Sequence, residues 1–243
     1  MPFTFKQFYI DDTQCAMKVG TDSILLGSWS CAHSQQQVLD IGTGSGLLAI
    51  MLAQKLSLQQ QPFCIHAVEL DADAASQATS NVEQCPWSDC IHVYQQSIQA
   101  FVEAQGSQQK YDLILSNPPY FVAGQEFEAT RQQARHTGQL SWFTLLANVA
   151  SLLSQDGYFE CVIPADGKTK MLALAQQFNL SLVAYCCIKT KAQKSAKRVL
   201  LRFRLNEANQ PYACEQTELV IHAENGQYSC DFRALCSDFY LNF

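Results

Sequence analysis

No continuous apolar run opens the chain. Met1 to Tyr9 mix aromatic residues with Lys6, which excludes a signal peptide or membrane span there and makes the cytoplasm, away from any membrane, the expected location. Excess positive charge is also missing. Sixteen Lys and Arg stand against 22 Asp and Glu, a net charge of -6, which argues against an obligate nucleic-acid binder. The eleven cysteines show no CxxC spacing and the histidines no His-x-His, so no metal is expected and the cysteines read as small buried apolar residues. Cys186 and Cys187, adjacent on a strand, would point to opposite faces. Internal repeats are absent, and Gln59-Gln60-Gln61 and Gln108-Gln109 are too short to be more than solvated loops.

What is present is ample material for one large α/β domain over residues 1–243, with no second domain required. Short runs rich in Val, Ile and Leu predict strands at Val38–Ile41, Cys64–Glu69, Ile91–Tyr94, Asp112–Ser116, Tyr158–Ile163, Leu182–Cys187 and Val199–Leu205. Helical spacing predicts helices at Leu47–Lys55, Ala72–Gln84, Ile98–Ala104, Ser141–Leu153 and Lys168–Phe178. Alternation of the two gives a Rossmann-like, mostly parallel sheet of seven strands flanked by helices. Asn225-Gly226 predicts a tight turn, and the aromatic tail that follows should pack down.

Two segments carry chemistry. Val38-Leu39-Asp40-Ile41 runs into Gly42-Thr43-Gly44-Ser45-Gly46, a strand breaking into a glycine turn that opens a helix. A dinucleotide fingerprint would place Gly or Ala at position 47. Leu47 stands there, so the pattern favours S-adenosylmethionine. Glu69, with Leu70 beside it, ends the second strand about twenty residues on, where a carboxylate accepts ribose hydroxyls. Asp40 is costly to bury without a partner and is assigned to ordering the glycine loop and the cofactor's amino-acid end.

The second segment, Asn117-Pro118-Pro119-Tyr120, follows the apolar stretch from Tyr111 to Ser116. An exocyclic amine on a heteroaromatic ring is a weak nucleophile, because its lone pair is delocalised. If the Asn117 side-chain oxygen and the Pro118 carbonyl accept its two hydrogens, the nitrogen becomes tetrahedral and its lone pair turns toward the sulfonium methyl. Two prolines stiffen that corner. Tyr120 supplies a stacking face that Phe121 extends. The two segments together suggest a methyltransferase acting on a planar amine.

These motifs, with Phe5-Lys6-Gln7-Phe8 and Ala16-Met17-Lys18-Val19-Gly20-Thr21-Asp22, resemble the bacterial tRNA1(Val) (adenine(37)-N6)-methyltransferase family over nearly the whole chain. The resemblance implies a class I methyltransferase fold and an enzyme that methylates N6 of adenine-37 in the anticodon loop of valine tRNA; a monomer is expected. Carried over by position, Asn117, Pro118, Pro119 and Tyr120 take the target adenine, with Asn117 also touching the cofactor. Glu69 takes the ribose, and Gly42, Gly44 and Gly46 form the cofactor turn. Lys18, Gly20 and Thr21 belong to an amino-terminal segment (1–36) that closes over the site, while residues 206–243 form a carboxy-terminal extension packed on the domain. Relatives hold the cofactor adenine with an acidic residue after the third strand. Here the chain reads Gln95-Gln96-Ser97, and Ser97 is the substitute.

A tRNA loop needs cationic anchors for its phosphates. Arg131 and Arg135, with His136, follow the acceptor motif, and Lys191, Lys194, Lys197 and Arg198 lie in a stretch from Lys189 to Arg204 that holds no acidic residue. Arg202 and Arg204 share a strand face and have a structural alternative. Other readings remain open. A protein-glutamine methyltransferase acting on release factors presents the same two amide hydrogens, although such enzymes carry a helical domain ahead of the glycine motif. A guanine-amine rRNA methyltransferase uses the same chemistry, and a non-catalytic RNA-binding module would keep only the fold.

Overall fold

Alternation along the strands decides the layers. Leu39, Ile41, Ile114, Phe159, Val199 and Phe203 face one side of a central sheet, while Val38, Leu113, Leu115, Val162 and Leu200 face the other, and each set closes its own apolar core. The computed structural model describes residues 2–32, 36–106, 109–119, 140–206 and 213–241. A small hairpin, β1 (Phe3–Thr4) with β2 (Tyr9–Ile10), precedes α1 (Thr21–Trp29), β3 (Gln37–Ile41), α2 (Leu47–Ser57), β4 (Cys64–Glu69), α3 (Ala72–Glu83) and β5 (Ile91–Gln95). Then come α4 (Ile98–Gln105), β6 (Tyr111–Ser116), α5 (Trp142–Leu152), β7 (Leu153–Pro164), α6 (Lys168–Gln177), β8 (Leu180–Lys189), β9 (Arg198–Leu205), β10 (Glu215–Val220) and α7 (Cys230–Cys236).

The sheet has eight strands in the order β10-β8-β9-β7-β6-β3-β4-β5, one more than the seven expected. The additional strand is β10, which pairs in parallel with β8 at the sheet edge, from Glu215 opposite Ala184 to Val220 opposite Lys189. Its first four residues are exposed, so it lacks the apolar run that marks a buried strand. All neighbouring pairs are parallel except those of β9, which runs antiparallel to both β7 and β8. From β3 the chain moves out through β4 to β5, then returns to β6 on the other side of β3. The crevice at that reversal is where parallel sheets hold ligands.

Helix α1 and helices α2 and α7 cover one face with Ile24, Leu26, Ile50 and Phe232. Helices α4, α5 and α6 cover the other with Phe101, Leu145, Val149 and Met171. Asp71, Ser97 and Ser141 start α3, α4 and α5 by accepting the backbone N–H three residues on. The two ends of the chain meet. Lys6 N donates to Phe239 O at 2.9 Å, while Phe232 and Phe239 lie buried in the same core as Phe5 and Phe8. All eleven cysteines are free thiols. Cys214 and Cys230 are exposed, which corrects the reading of every cysteine as buried filler.

Candidate active site

Loops leaving the carboxyl ends of β3, β4, β5 and β6 enclose a cavity of about 1420 Å³. The glycine loop forms one wall because its backbone donors are already spent on β4. Gly42 N and Thr43 N donate to Val68 O at 2.8 and 3.1 Å, and Gly44 N donates to Glu69 Oε2 at 2.9 Å. Gly44 and Gly46 have φ of 56° and 82°, left-handed conformations that favour glycine. They differ in surroundings. A Cβ on Gly44 would meet nothing within 4 Å, whereas one on Gly46 would lie 3.4 Å from Ala78 of α3. Gly46 therefore admits α3 and, unlike Gly42 and Gly44, stands off the cavity wall.

Glu69 lines the cavity with both carboxylate oxygens fixed, Oε2 by Gly44 N and Oε1 by Asp71 N at 2.9 Å. A carboxylate offers about four acceptor positions, so this one is oriented without being saturated. Asp40 lies behind the wall, fully buried, and is not among the residues that line the cavity. Thr43 Oγ1 donates to its Oδ2 at 2.5 Å. Burial pushes the Asp40 carboxyl up to about 7, against the Thr43 bond, which lowers it. Ser97 lines the cavity while its Oγ caps α4 by accepting Ala100 N at 3.1 Å. Leu70 and Met17 line the same cavity and are 47% and 50% exposed, two apolar side chains at its mouth. Cys15 also lines it, but burial, helped by Asp12 and Glu69, pushes its thiol up to about 11, so it is no thiolate nucleophile.

On the opposite wall Asn117, Pro118 and Pro119 follow β6, whose end is tied to β3 by Ser116 Oγ donating to Ile41 O at 2.8 Å. Asn117 Nδ2 donates to Ser23 Oγ of α1 at 2.8 Å. Tyr120, Phe121, Arg131, Arg135 and His136 lie outside the described residues. The amino-terminal segment supplies a third wall from Cys15 to Val19. Lys18 Nζ donates to Asp12 O at 2.6 Å, Val19 N donates to Asp12 Oδ2 at 2.8 Å, and Gly20 and Thr21 stand off the wall.

Three contributions were not anticipated from the sequence. Ser23 reaches Asn117 across 94 residues of chain. Asn81, 1% exposed, donates to Asp11 O and Ser45 O and accepts from Asp11 N, which joins the amino-terminal segment to the glycine loop. The first turns of α5 add Phe143, Thr144, Ala147 and Asn148, a helical face that carries no motif to announce it.

The basic stretch divides in two. Lys191, Lys194 and Lys197 are exposed on the turn between β8 and β9. Because β8 shares the direction of β3 to β7, that turn lies on the same sheet edge as the cavity. The arginines are each paired with a carboxylate of the same chain. Arg198 Nε lies 2.7 Å from Asp22, Arg202 Nε 2.6 Å from the fully buried Glu160, and Arg204 Nη2 2.9 Å from Asp156. Among the described residues no three His, Cys, Asp or Glu group into a metal site, and no helix is long and apolar enough to cross a membrane.

Residues 15–183 match the family model described as the methyltransferase small domain. The chain is 46% identical over 242 residues to the tRNA1(Val) (adenine(37)-N6)-methyltransferase of Aeromonas hydrophila, covering 98% of this chain and 97% of that one. It is 44% identical over 240 residues to the protein of the same name from Tolumonas auensis, covering 98% and 96%. In structure it resembles a predicted O-methyltransferase of Agrobacterium tumefaciens, with a TM-score of 0.70 at 16% identity, covering 90% of this chain and 96% of that one; this likeness concerns the fold alone. A donor-type glycine loop and an Asn-Pro-Pro corner on one cavity, in a chain so close to these relatives throughout its length, mean that the protein belongs to the tRNA1(Val) (adenine(37)-N6)-methyltransferase family, within the methyltransferase small domain group.

Proposed function

We propose that this chain transfers a methyl group from S-adenosylmethionine to N6 of adenine-37 in valine tRNA, the activity for which its relatives are named. The observation that carries it is the pairing, across one cavity, of the Glu69-braced glycine loop with Asn117, Pro118 and Pro119. When bound, S-adenosylmethionine supplies an electrophilic sulfonium methyl. Glu69, already oriented, receives ribose hydroxyls, Gly42 and Gly44 leave room beside them, and Leu70 with Met17 covers the apolar ring at the mouth. Asn117 Oδ1 and the Pro118 carbonyl accept the amine hydrogens and steer its lone pair. Among the described residues Asn117, Pro118 and Pro119 offer no general base, which suits a reaction that needs no proton removed before attack. Lys191, Lys194 and Lys197 receive tRNA phosphates, joined by Lys168 and Lys170 at the start of α6 on the same edge. The reading has a single chain, 1–243, working in the cytoplasm without a metal, its first 36 residues closing the site and residues 206–243 bracing it.

Incubation of the protein and labelled donor with valine tRNA, release factor or rRNA, followed by nucleoside mapping, tests this. Label in N6-methyladenosine at position 37, persisting in EDTA and lost in Asn117→Ala while donor binding survives, is the expected result. Label on release factor or on guanine would replace the proposal.

A further inference from the structure

We propose that α1 is the positioning element of the acceptor corner: Arg198 acts through Asp22, and Ser23 in turn sets the amide of Asn117. This rests on the methyl-transfer reading above. Nine residues are too few for a helix to hold itself, and Gly20 gives α1 no side-chain cap. Its place is fixed instead by cations at both ends. At the amino end Asp22 accepts Arg198 Nε at 2.7 Å, while Arg198 Nη1 donates to Lys197 O at 3.0 Å. At the carboxyl end Lys55 Nζ donates to the carbonyls of Gly27, Ser28 and Ser30, and the Arg202 guanidinium lies 4.4 Å from the Trp29 ring centre.

The spacings agree. Arg198 and Arg202 lie on one face of β9, four residues and so about 13 Å apart. Asp22 and Trp29 are seven helical residues, about 10 Å, apart. Helix α1 therefore packs over β7 with each end met by an arginine of the neighbouring β9, and Leu200 of that strand face shares a core with Ile24 and Leu26. Ser23 follows Asp22 in the first turn, and both Ser23 and Asn117 line the cavity. The bond from Asn117 Nδ2 to Ser23 Oγ sets the donor end of the amide on α1 and turns its acceptor end away from the helix. A slide or rotation of α1 would move that acceptor. Arg198 is thus assigned to the corner, and the phosphates to the neighbouring lysines.

Kinetics of Ser23→Ala, Ser23→Thr, Asp22→Asn, Arg198→Gln and the Asp22→Asn/Arg198→Gln pair, with tRNA binding across a salt series, test the assignment. Ser23→Ala should lower kcat about tenfold to a hundredfold, the scale of a misplaced reacting group, with KM for tRNA and donor affinity nearly kept. Ser23→Thr, which retains the hydroxyl, should recover most of the loss. Asp22→Asn and Arg198→Gln should each lower kcat, the pair no further than either alone, and Arg198→Gln should leave the salt slope of tRNA binding as it was. A flattened slope in Arg198→Gln, an unaltered kcat in Ser23→Ala, or equal losses of donor binding and kcat would overturn the proposal. The side-chain amide NMR signals of Asn117 give a readout without any acceptor: they should shift in Ser23→Ala and Arg198→Gln, and unshifted signals would also overturn it. Failure of the unsubstituted protein to label any tRNA would instead remove the activity reading while leaving the amide test standing.

Discussion

Gly44→Ala and Gly46→Ala should separate backbone strain from occupation of the donor site. Both glycines hold left-handed φ, at 56° and 82°, so an alanine at either costs about 1–2 kcal/mol of conformational strain. Part of this is offset, by about 0.4–1 kcal/mol, because alanine restricts the unfolded chain. A net loss near 1 kcal/mol lowers Tm by roughly 2–4 °C in a protein of this size. The two variants should therefore melt alike. Their donor affinities should not be alike, because a methyl at Gly44 has nothing within 4 Å and lies on the cavity wall, whereas one at Gly46 rests at ordinary contact distance from Ala78. Calorimetric titration with S-adenosylmethionine should give a Kd raised tenfold or more for Gly44→Ala, about 1.4 kcal/mol, and close to the parent value for Gly46→Ala. Equal affinities in the two variants, or a larger loss at Gly46, would refute the assignment of the cavity to the donor.

Glu160→Gln breaks a pair whose acid is fully buried, so denaturant unfolding should show a loss of about 3 kcal/mol, and a loss below 1 kcal/mol would mean that the pair is not holding β7 to β9. Asp40 titrates near 7 when folded and near its ordinary value, 3.8, when unfolded. Between those values the folded chain holds the extra proton, so Asp40 makes stability fall as pH rises from about 4 to 7, with no contribution to the slope on either side. Asp40→Asn should flatten the stability profile in that window, and an unchanged profile would place the titration elsewhere. Replacing Lys191, Lys194 and Lys197 together by Gln should reduce the slope of log affinity for tRNA against log salt by about two units, at about 0.7 per phosphate contact. An unaltered slope would move the RNA to another face.

The buried strands were legible because β3, β4, β6 and β7 are runs of apolar residues enclosed on both sides. β10 was not, since Glu215 to Glu218 are exposed and its pairing with β8 supplies what its side chains do not. Nor was α1, because residues from both its faces are apolar and its ends are fixed by Lys55, Arg198 and Arg202 from far along the chain. At the site, Glu69 and the glycines announce themselves through spacing and backbone demands. Ser23, Asn81 and the α5 face do not, because their roles arise only when distant segments meet. Arg202 and Arg204 pair with Glu160 and Asp156, as their shared strand face allowed, but the pairing of Arg198 with Asp22 was not legible, because charge in a sequence does not show which cations the fold pairs internally.

The reversed direction of β9 joins it to β8 by a turn in place of a crossover helix. Residues 191–196 can therefore be lengthened, shortened or exchanged without disturbing the registers on either side, provided Thr190, Lys197 and Arg198, whose bonds tie the turn down, are kept. Under the proposed reading, the surface offered to phosphates beside the cavity becomes a trait that selection can retune, while the glycine loop and the Asn117 corner are inherited intact.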